Sequence, residues 1–136
     1  TGPLPLLGDF STPAGMQAAV GSDSYPAGVL YAERGWLQAH PDTAARLSRA
    51  IVRTLTWINE HSAQEIADRM PPRFRGDDES LYVQALTRTR PIFSTDGVMP
   101  AEGAQAVASL VAFALPAVRQ AHVDLTQTYT NQFIKK

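Results

Sequence analysis

The chain of 136 residues contains no cysteine, which excludes disulfide staples and thiolate metal sites. It also lacks an excess of either charge. Twelve Lys and Arg against 13 Asp and Glu leave a formal net charge of −1, too little to draw in nucleic acid or an anionic membrane surface. Long apolar runs are missing as well: the most apolar stretch, Ala104 to Val118, is short for a bilayer and is interrupted by Ser109 and Pro116. The phosphate-loop, dinucleotide and nucleophile-elbow glycine patterns do not occur, nor does any internal repeat. The chain opens Thr1-Gly2-Pro3, without Met and without a charged-then-apolar leader, and reads as a processed or truncated product.

What is present suits one domain with a core of its own. Leu4 to Phe10 reads as a marginal edge strand, broken by Pro5 and Gly8. Thr12-Pro13 looks like an N-cap with proline at the first helical position, and Gly21 like the glycine that stops this helix. After a turn over Ser22 to Pro26, the run Gly28 to Ala32 reads as a buried strand. Glu33 to His40 makes a short helix. Pro41-Asp42 then opens a long one to about His61, with an inward stripe of Ala44, Leu47, Ile51, Leu55 and Ile58. Its other face carries Arg46, Arg49, Arg53 and Glu60, with Asp42 one turn before Arg46 in the order that favours an ion pair.

Ser62-Ala63-Gln64-Glu65 matches a capping box and predicts a helix ending near Met70-Pro71-Pro72. Gly76-Asp77-Asp78 caps another, with Leu81, Tyr82, Ala85 and Leu86 inward and Pro91 at its end. Ser94 to Gly97 is a turn, and Pro100 starts an apolar helix to about Leu115. Asp124 caps a terminal helix with a stripe of Leu125, Tyr129 and Phe133. The expected fold is therefore mostly α with one or two short strands: a strand-helix-strand segment over 1–32 and a helical part over 33–136.

The helix from Ala101 to Leu115 is apolar nearly all round, through Val107, Leu110, Val111, Phe113 and Leu115. Such a helix has to be enclosed on most sides. Fully burying each large aliphatic side chain contributes about 1.5–3 kcal/mol, a large share of a typical net stability of about 5–15 kcal/mol. Two short strands also cannot complete a sheet. Both features imply packing against a further partner, either the rest of a larger protein or a second copy.

Catalytic and metal chemistry finds little purchase. His40, His61 and His122 lie far apart at helix ends, and the capping box accounts for His61-Ser62 with Glu65. Asp77-Asp78-Glu79 reads as a dipole-favoured helix start rather than a calcium loop. No nucleophile, base and orienting group can be assembled, so the chain reads as not an enzyme and as needing no cofactor. Arg46, Arg49 and Arg53 read as a solvated face, or else as a docking stripe for an acidic surface. Ser24 and Tyr25 stand out differently. They sit in a turn directly before the apolar run, and turn hydroxyls with backbone amides are the usual materials of a small-anion site.

Four phrases, in order, carry a resemblance: Ser24-Tyr25-Pro26-Ala27-Gly28-Val29-Leu30-Tyr31-Ala32; Thr56-Trp57-Ile58-Asn59 leading into His61-Ser62-Ala63-Gln64-Glu65-Ile66-Ala67; Ile92-Phe93-Ser94-Thr95-Asp96-Gly97-Val98-Met99-Pro100; and Asp124-Leu125-Thr126-Gln127-Thr128-Tyr129-Thr130-Asn131-Gln132-Phe133. The chain thereby resembles the C-terminal portion of solute-binding proteins that feed ABC importers, of the nitrate/sulfonate/taurine class. That resemblance implies a fragment of a bilobal α/β receptor, with 1–32 around the crossover between lobes and 33–136 completing the first lobe. It also implies a small anionic ligand held near Ser24 and Tyr25, ABC transporter membrane subunits as partners, and a periplasmic or extracellular, membrane-associated location. Two rival readings are a stand-alone helical module that dimerises through Ala101–Leu115, and a relative of thiamin-pyrimidine synthesis enzymes. The second would need a His- or Cys-based reactive site that this sequence does not show.

Overall fold

The computed structural model describes Pro5 and residues 10–134. Eight α-helices form among them: α1 (Pro13–Val20), α2 (Arg34–Ala39), α3 (Pro41–Glu60), α4 (Ala63–Arg69), α5 (Pro72–Arg75), α6 (Glu79–Thr89), α7 (Ala101–Ala114) and α8 (Pro116–Gln120). Single 3-10 turns lie at Arg90–Ile92 and Leu125–Gln127. The chain is mostly α, and no strand forms among the described residues. It groups into two units: Thr1–Tyr31 with Met99–Gln132, and Ala32–Val98 with Phe133–Lys136.

Helix boundaries follow local chemistry. Thr12 accepts the Gly15 N–H at 3.0 Å, Pro13 takes the first helical position, and Gly21 ends α1 in the left-handed region. At the start of α4, Glu65 Oε2 accepts from both the N–H and the hydroxyl of Ser62, at 2.8 and 2.7 Å. The Glu65 N–H in turn donates to Ser62 Oγ at 3.2 Å. Asp78 caps α6 through the Leu81 N–H.

In the first unit, Met16 and Ala106 are the buried apolar residues, joined by Gly103 and the buried Ser22. Asn131 pins the chain before α7 in both directions, accepting the Met99 N–H at 3.0 Å and donating to the Met99 carbonyl at 3.1 Å.

In the second unit the small residues Ala44, Ala63 and Ala67 are buried with Ile66. The C-terminus of α3 is closed by a layered cluster. His61 stacks on Trp57 at 4.2 Å between ring centroids, and the Arg69 guanidinium lies 5.1 Å from the Trp57 ring. His61 Nδ1 meets the Trp57 carbonyl at 2.7 Å; because a carbonyl only accepts, this nitrogen carries the proton. Arg90 donates to the His61 carbonyl. A similar pairing of Trp36 with His40 ends α2, with centroids 5.1 Å apart.

Several expectations need correction. Gly28 to Ala32 forms no strand: it makes no hydrogen-bonded ladder among the described residues, and Val29, Leu30 and Tyr31 are 52, 59 and 89 % exposed rather than buried. The other expected strand, Leu4 to Phe10, falls outside the described residues apart from Pro5 and Phe10. The terminal helix after Asp124 shrinks to one 3-10 turn. Hydroxyls there bond locally, Thr126 to Asp124 and Thr128 to the Leu125 carbonyl, and β-branched residues with competing hydroxyls disfavour helix.

Asp42 and Arg46 form no ion pair; among the described residues that geometry is found instead at Arg75–Glu79, 2.8 Å apart. The inward stripes are only partly inward. Leu47 and Ile51 of α3 and Leu81 of α6 are exposed, while Leu55, Ile58, Tyr82 and Leu86 are half-buried.

The described residues do not supply the enclosure that α7 demands, as expected of a helix that packs against a further partner. Only Gly103 and Ala106 of this helix are buried, whereas Leu110 is 38 % and Phe113 85 % exposed. No large side chain in the described chain is fully buried.

Two outcomes test this account. Gly97 holds a φ of +74°, and a Cβ there would stand 3.0 Å from Val52 Cγ2 of α3. Gly97→Ala should therefore lower stability in urea unfolding by about 1–2 kcal/mol, the cost of forcing a side chain into the left-handed region. Glu65 is held below the ordinary carboxylate range, first by the Ser62 N–H and then by the Ser62 hydroxyl; desolvation opposes them, and His61 and Arg69 add weaker lowering effects. A lowered folded-state pKa means stability that is complete above the unfolded carboxylate range and is lost as pH falls through the folded value. Wild type should lose helix between neutral and acid pH by circular dichroism more steeply than Glu65→Gln does.

Candidate functional site

Ser24 and Tyr25 both lie in the first unit, half-buried, on the turn that leads away from α1. The turn is tied by Ser22, whose hydroxyl donates to the Ser24 carbonyl at 2.9 Å and accepts the Ser24 N–H at 3.1 Å. This two-way clamp is a local serine turn of the kind that short hydroxyl side chains build with their own backbone. It buries Ser22 and fixes the direction of Ser24.

What Ser24 faces is the first turn of α7. A Cβ placed on Gly103 would stand 2.9 Å from Ser24 Oγ, 2.9 Å from Pro26 Cδ and 3.0 Å from Pro100 Cγ. Glycine at 103 is thus the reason that this turn can lie directly on the helix. Sequence reasoning missed Gly103; its signal was a glycine inside an otherwise apolar helix, which marks a close backbone approach.

The start of α7 has no side-chain cap, because Pro100 stands at the capping position. The first intrahelical bond from this end is Ala104 N–H to the Pro100 carbonyl, leaving the N–H groups of Ala101, Glu102 and Gly103 without an acceptor among the described residues. A hydroxyl beside unpaired amides at the positive end of a 14-residue helix can donate to a negatively charged group. Glu102 opposes this: it stands exposed in the same first turn and contributes negative charge.

Tyr25 is placed less favourably for a ligand. Its ring packs against Phe10, with centroids 6.5 Å apart and planes tilted by 59°. Neither its hydroxyl nor that of Ser24 makes a hydrogen bond among the described residues. The structure brings Ser24 to Gly103 and Tyr25 to Phe10.

The remaining candidates gather no site. The described residues contain no group of three or more His, Asp or Glu placed to hold a metal ion. Asp78 serves as the cap of α6, and Arg75 is engaged with Glu79. Arg46, Arg49 and Arg53 are exposed along α3. No helix among the described residues is long and apolar enough to cross a membrane.

Over part of its length the chain is similar to a binding protein. That relative is "Putative binding protein YtlA" of Bacillus subtilis (strain 168), 27 % identical over 67 residues. The matched stretch is 49 % of this chain and 20 % of that protein, so the chain spans about a fifth of the relative it matches. No family model matches the chain, and no solved structure matches it. The likeness supports a binding role in general and specifies no ligand.

The contact at Gly103 gives a direct test. Gly103→Ala would gain roughly 1 kcal/mol of helix propensity but must push back Ser24 and the Pro26 ring, and overpacking typically costs about 1–3 kcal/mol. A net loss of about 1 kcal/mol is expected in chemical unfolding, whereas an equally helical control, Gln105→Ala on the exposed face, should be neutral or slightly stabilising.

Proposed function

We propose that this chain is the mostly helical C-terminal part of an extracytoplasmic solute-binding protein. It holds a small anion, of the nitrate, sulfonate, taurine or aromatic-acid kind, and the parent protein delivers that anion to the membrane subunits of an ABC importer. The observation that carries the reading is the seating of the Ser24 hydroxyl on the uncapped first turn of α7. The ordered phrases of the sequence and the partial similarity to a binding protein support the same conclusion.

The mechanism is binding without bond making. The Ser24 hydroxyl and the amides of Ala101, Glu102 and Gly103 supply donors, and a second wall of a cleft, from the rest of the parent protein, excludes water. Charge-assisted hydrogen bonds of this type are roughly twice as strong as neutral ones, which suits an anion that must be held and then released. The uncovered faces of α7 and of Val29 to Tyr31 fit a chain made to pack against that larger body. Periplasmic or extracellular residence follows from the same reading.

A second reading, a helical module that associates with another copy, is favoured by the exposure of Phe113 and Leu115.

Calorimetric titration of the 136-residue chain with nitrate, taurine and benzoate tests the first reading. Saturable binding of at least one is expected, weakened tenfold or more by Ser24→Ala and unchanged by Ser109→Ala. If none of the three gives saturable heat, the anion is not held by this chain.

A further inference from the structure

Arg46, Arg49 and Arg53 follow one another a turn apart on one face of the 20-residue helix α3, and all three are exposed. Other arginines of the same unit are engaged. Arg69 lies over Trp57 and Arg73 over Phe74, Arg75 pairs with Glu79, and Arg90 donates to the His61 carbonyl. The three on α3 make no ion pair, hydrogen bond or ring contact among the described residues. Asp42 and Glu60, the acids of this helix, stand near its two ends. Like charges one turn apart weaken a helix, so the row costs α3 stability that a mixed row would not. A second row runs beside it. Leu47 and Ile51 are 45 and 49 % exposed and lie about 100–140° round the helix from Arg46. The small, exposed Ala50 and Thr54 fill the space between the rows. Thr54 turns its hydroxyl back onto the Ala50 carbonyl at 2.9 Å. The outer face of α3 is thus a shallow strip with charge along one edge and aliphatic side chains along the other.

We propose that this strip docks an acidic amphipathic helix of a separate protein, with its carboxylates on the arginine row and its apolar side chains on Leu47 and Ile51. Charge complementarity names the partner. Each unpaired guanidinium is a planar fork that takes a carboxylate bidentately, and the aliphatic row supplies the apolar half of the contact. A separate protein fits better than permanent packing within a larger chain. Obligate interfaces resemble a hydrophobic core, whereas charged rows steer and register partners that come and go. A lipid surface fits less well, because anionic bilayers are held by clusters of about four to eight basic residues, more than this row contains.

The test is fluorescence anisotropy of a labelled helical peptide, designed with a row of glutamates beside a row of leucines, titrated with the 136-residue chain. Saturable binding is expected, tenfold or more weaker for the same peptide with glutamine in place of glutamate. It should also weaken as salt rises from about 0.05 to about 0.5 M. Arg49→Glu should weaken binding at least tenfold and yet raise the urea midpoint of the chain, because a carboxylate there precedes Arg53 by one turn in the favourable order. Loss of binding with a gain in stability is a combination that unfolding cannot produce. Arg88→Glu, the same charge change at an exposed position of α6, should leave binding as it is. Equal binding of the glutamine peptide, no effect of Arg49→Glu, or an equal loss with Arg88→Glu would each overturn the proposal. So would binding to vesicles of phosphatidylglycerol and phosphatidylcholine in place of the peptide. The strip stands apart from the anion reading: peptide binding by a chain that ignores nitrate, taurine and benzoate would leave it intact while removing the other.

Discussion

The buried contacts of this chain are made by small side chains, and most of its architecture follows from that. Ala44, Ala63, Ala67, Ala106 and Gly103 occupy the interior positions, with Met16 and Ile66 as the larger exceptions. Small residues let helices and turns approach closely, but each removes little apolar area from water, whereas a Leu or Phe contributes about 1.5–3 kcal/mol when fully buried. The larger residues have been left to face outward, as Leu47, Ile51, Leu81, Leu110 and Phe113 show. A helix such as α7 keeps its register through hydrogen bonds and the Gly103 contact more than through hydrophobic burial. Its apolar surplus remains available to a partner.

The candidate site is an example of the same close packing. Only because residue 103 has no side chain can Ser24 and Pro26 lie on the first turn of α7. Met99, held in both directions by Asn131, fixes the approach to that turn from the other side. The amides of the first turn stay uncapped because proline, which brings no capping hydroxyl or carboxylate, occupies the position before them. Glu102 sets a limit on how strongly this end can attract an anion, so any selectivity has to come from directed donors rather than from net field.

Much of the helical framework was legible in the sequence, because local chemistry sets helix ends. Thr12 with Pro13 and Gly21, the Ser62–Glu65 box and Asp78 before Leu81 each form as their residue types predict. Features that depend on distant partners were not legible. A strand at 28–32 needs a neighbour to bond with, and periodicity cannot reveal that none forms among the described residues. The terminal segment has the apolar spacing of a helix, yet Thr126, Thr128 and Thr130 satisfy their hydroxyls and nearby backbone locally. Helical spacing at Leu47, Ile51 and Leu81 reports which face is apolar, not whether anything covers it. For the candidate site, Ser24 and Tyr25 were visible as turn residues. Gly103, almost eighty positions away, was not, because its role exists only in three dimensions.

The layered ends of α2 and α3 have an optical consequence. Trp36 and Trp57, the two tryptophans of the chain, both belong to the unit of residues 32–98, and each sits against an imidazole one turn later. Indole emission therefore watches that unit alone, and the half carrying Ser24 and α7 is dark to it. Should the halves melt separately, fluorescence and far-ultraviolet dichroism would trace different curves, and a single melting temperature taken from either would describe only part of the molecule.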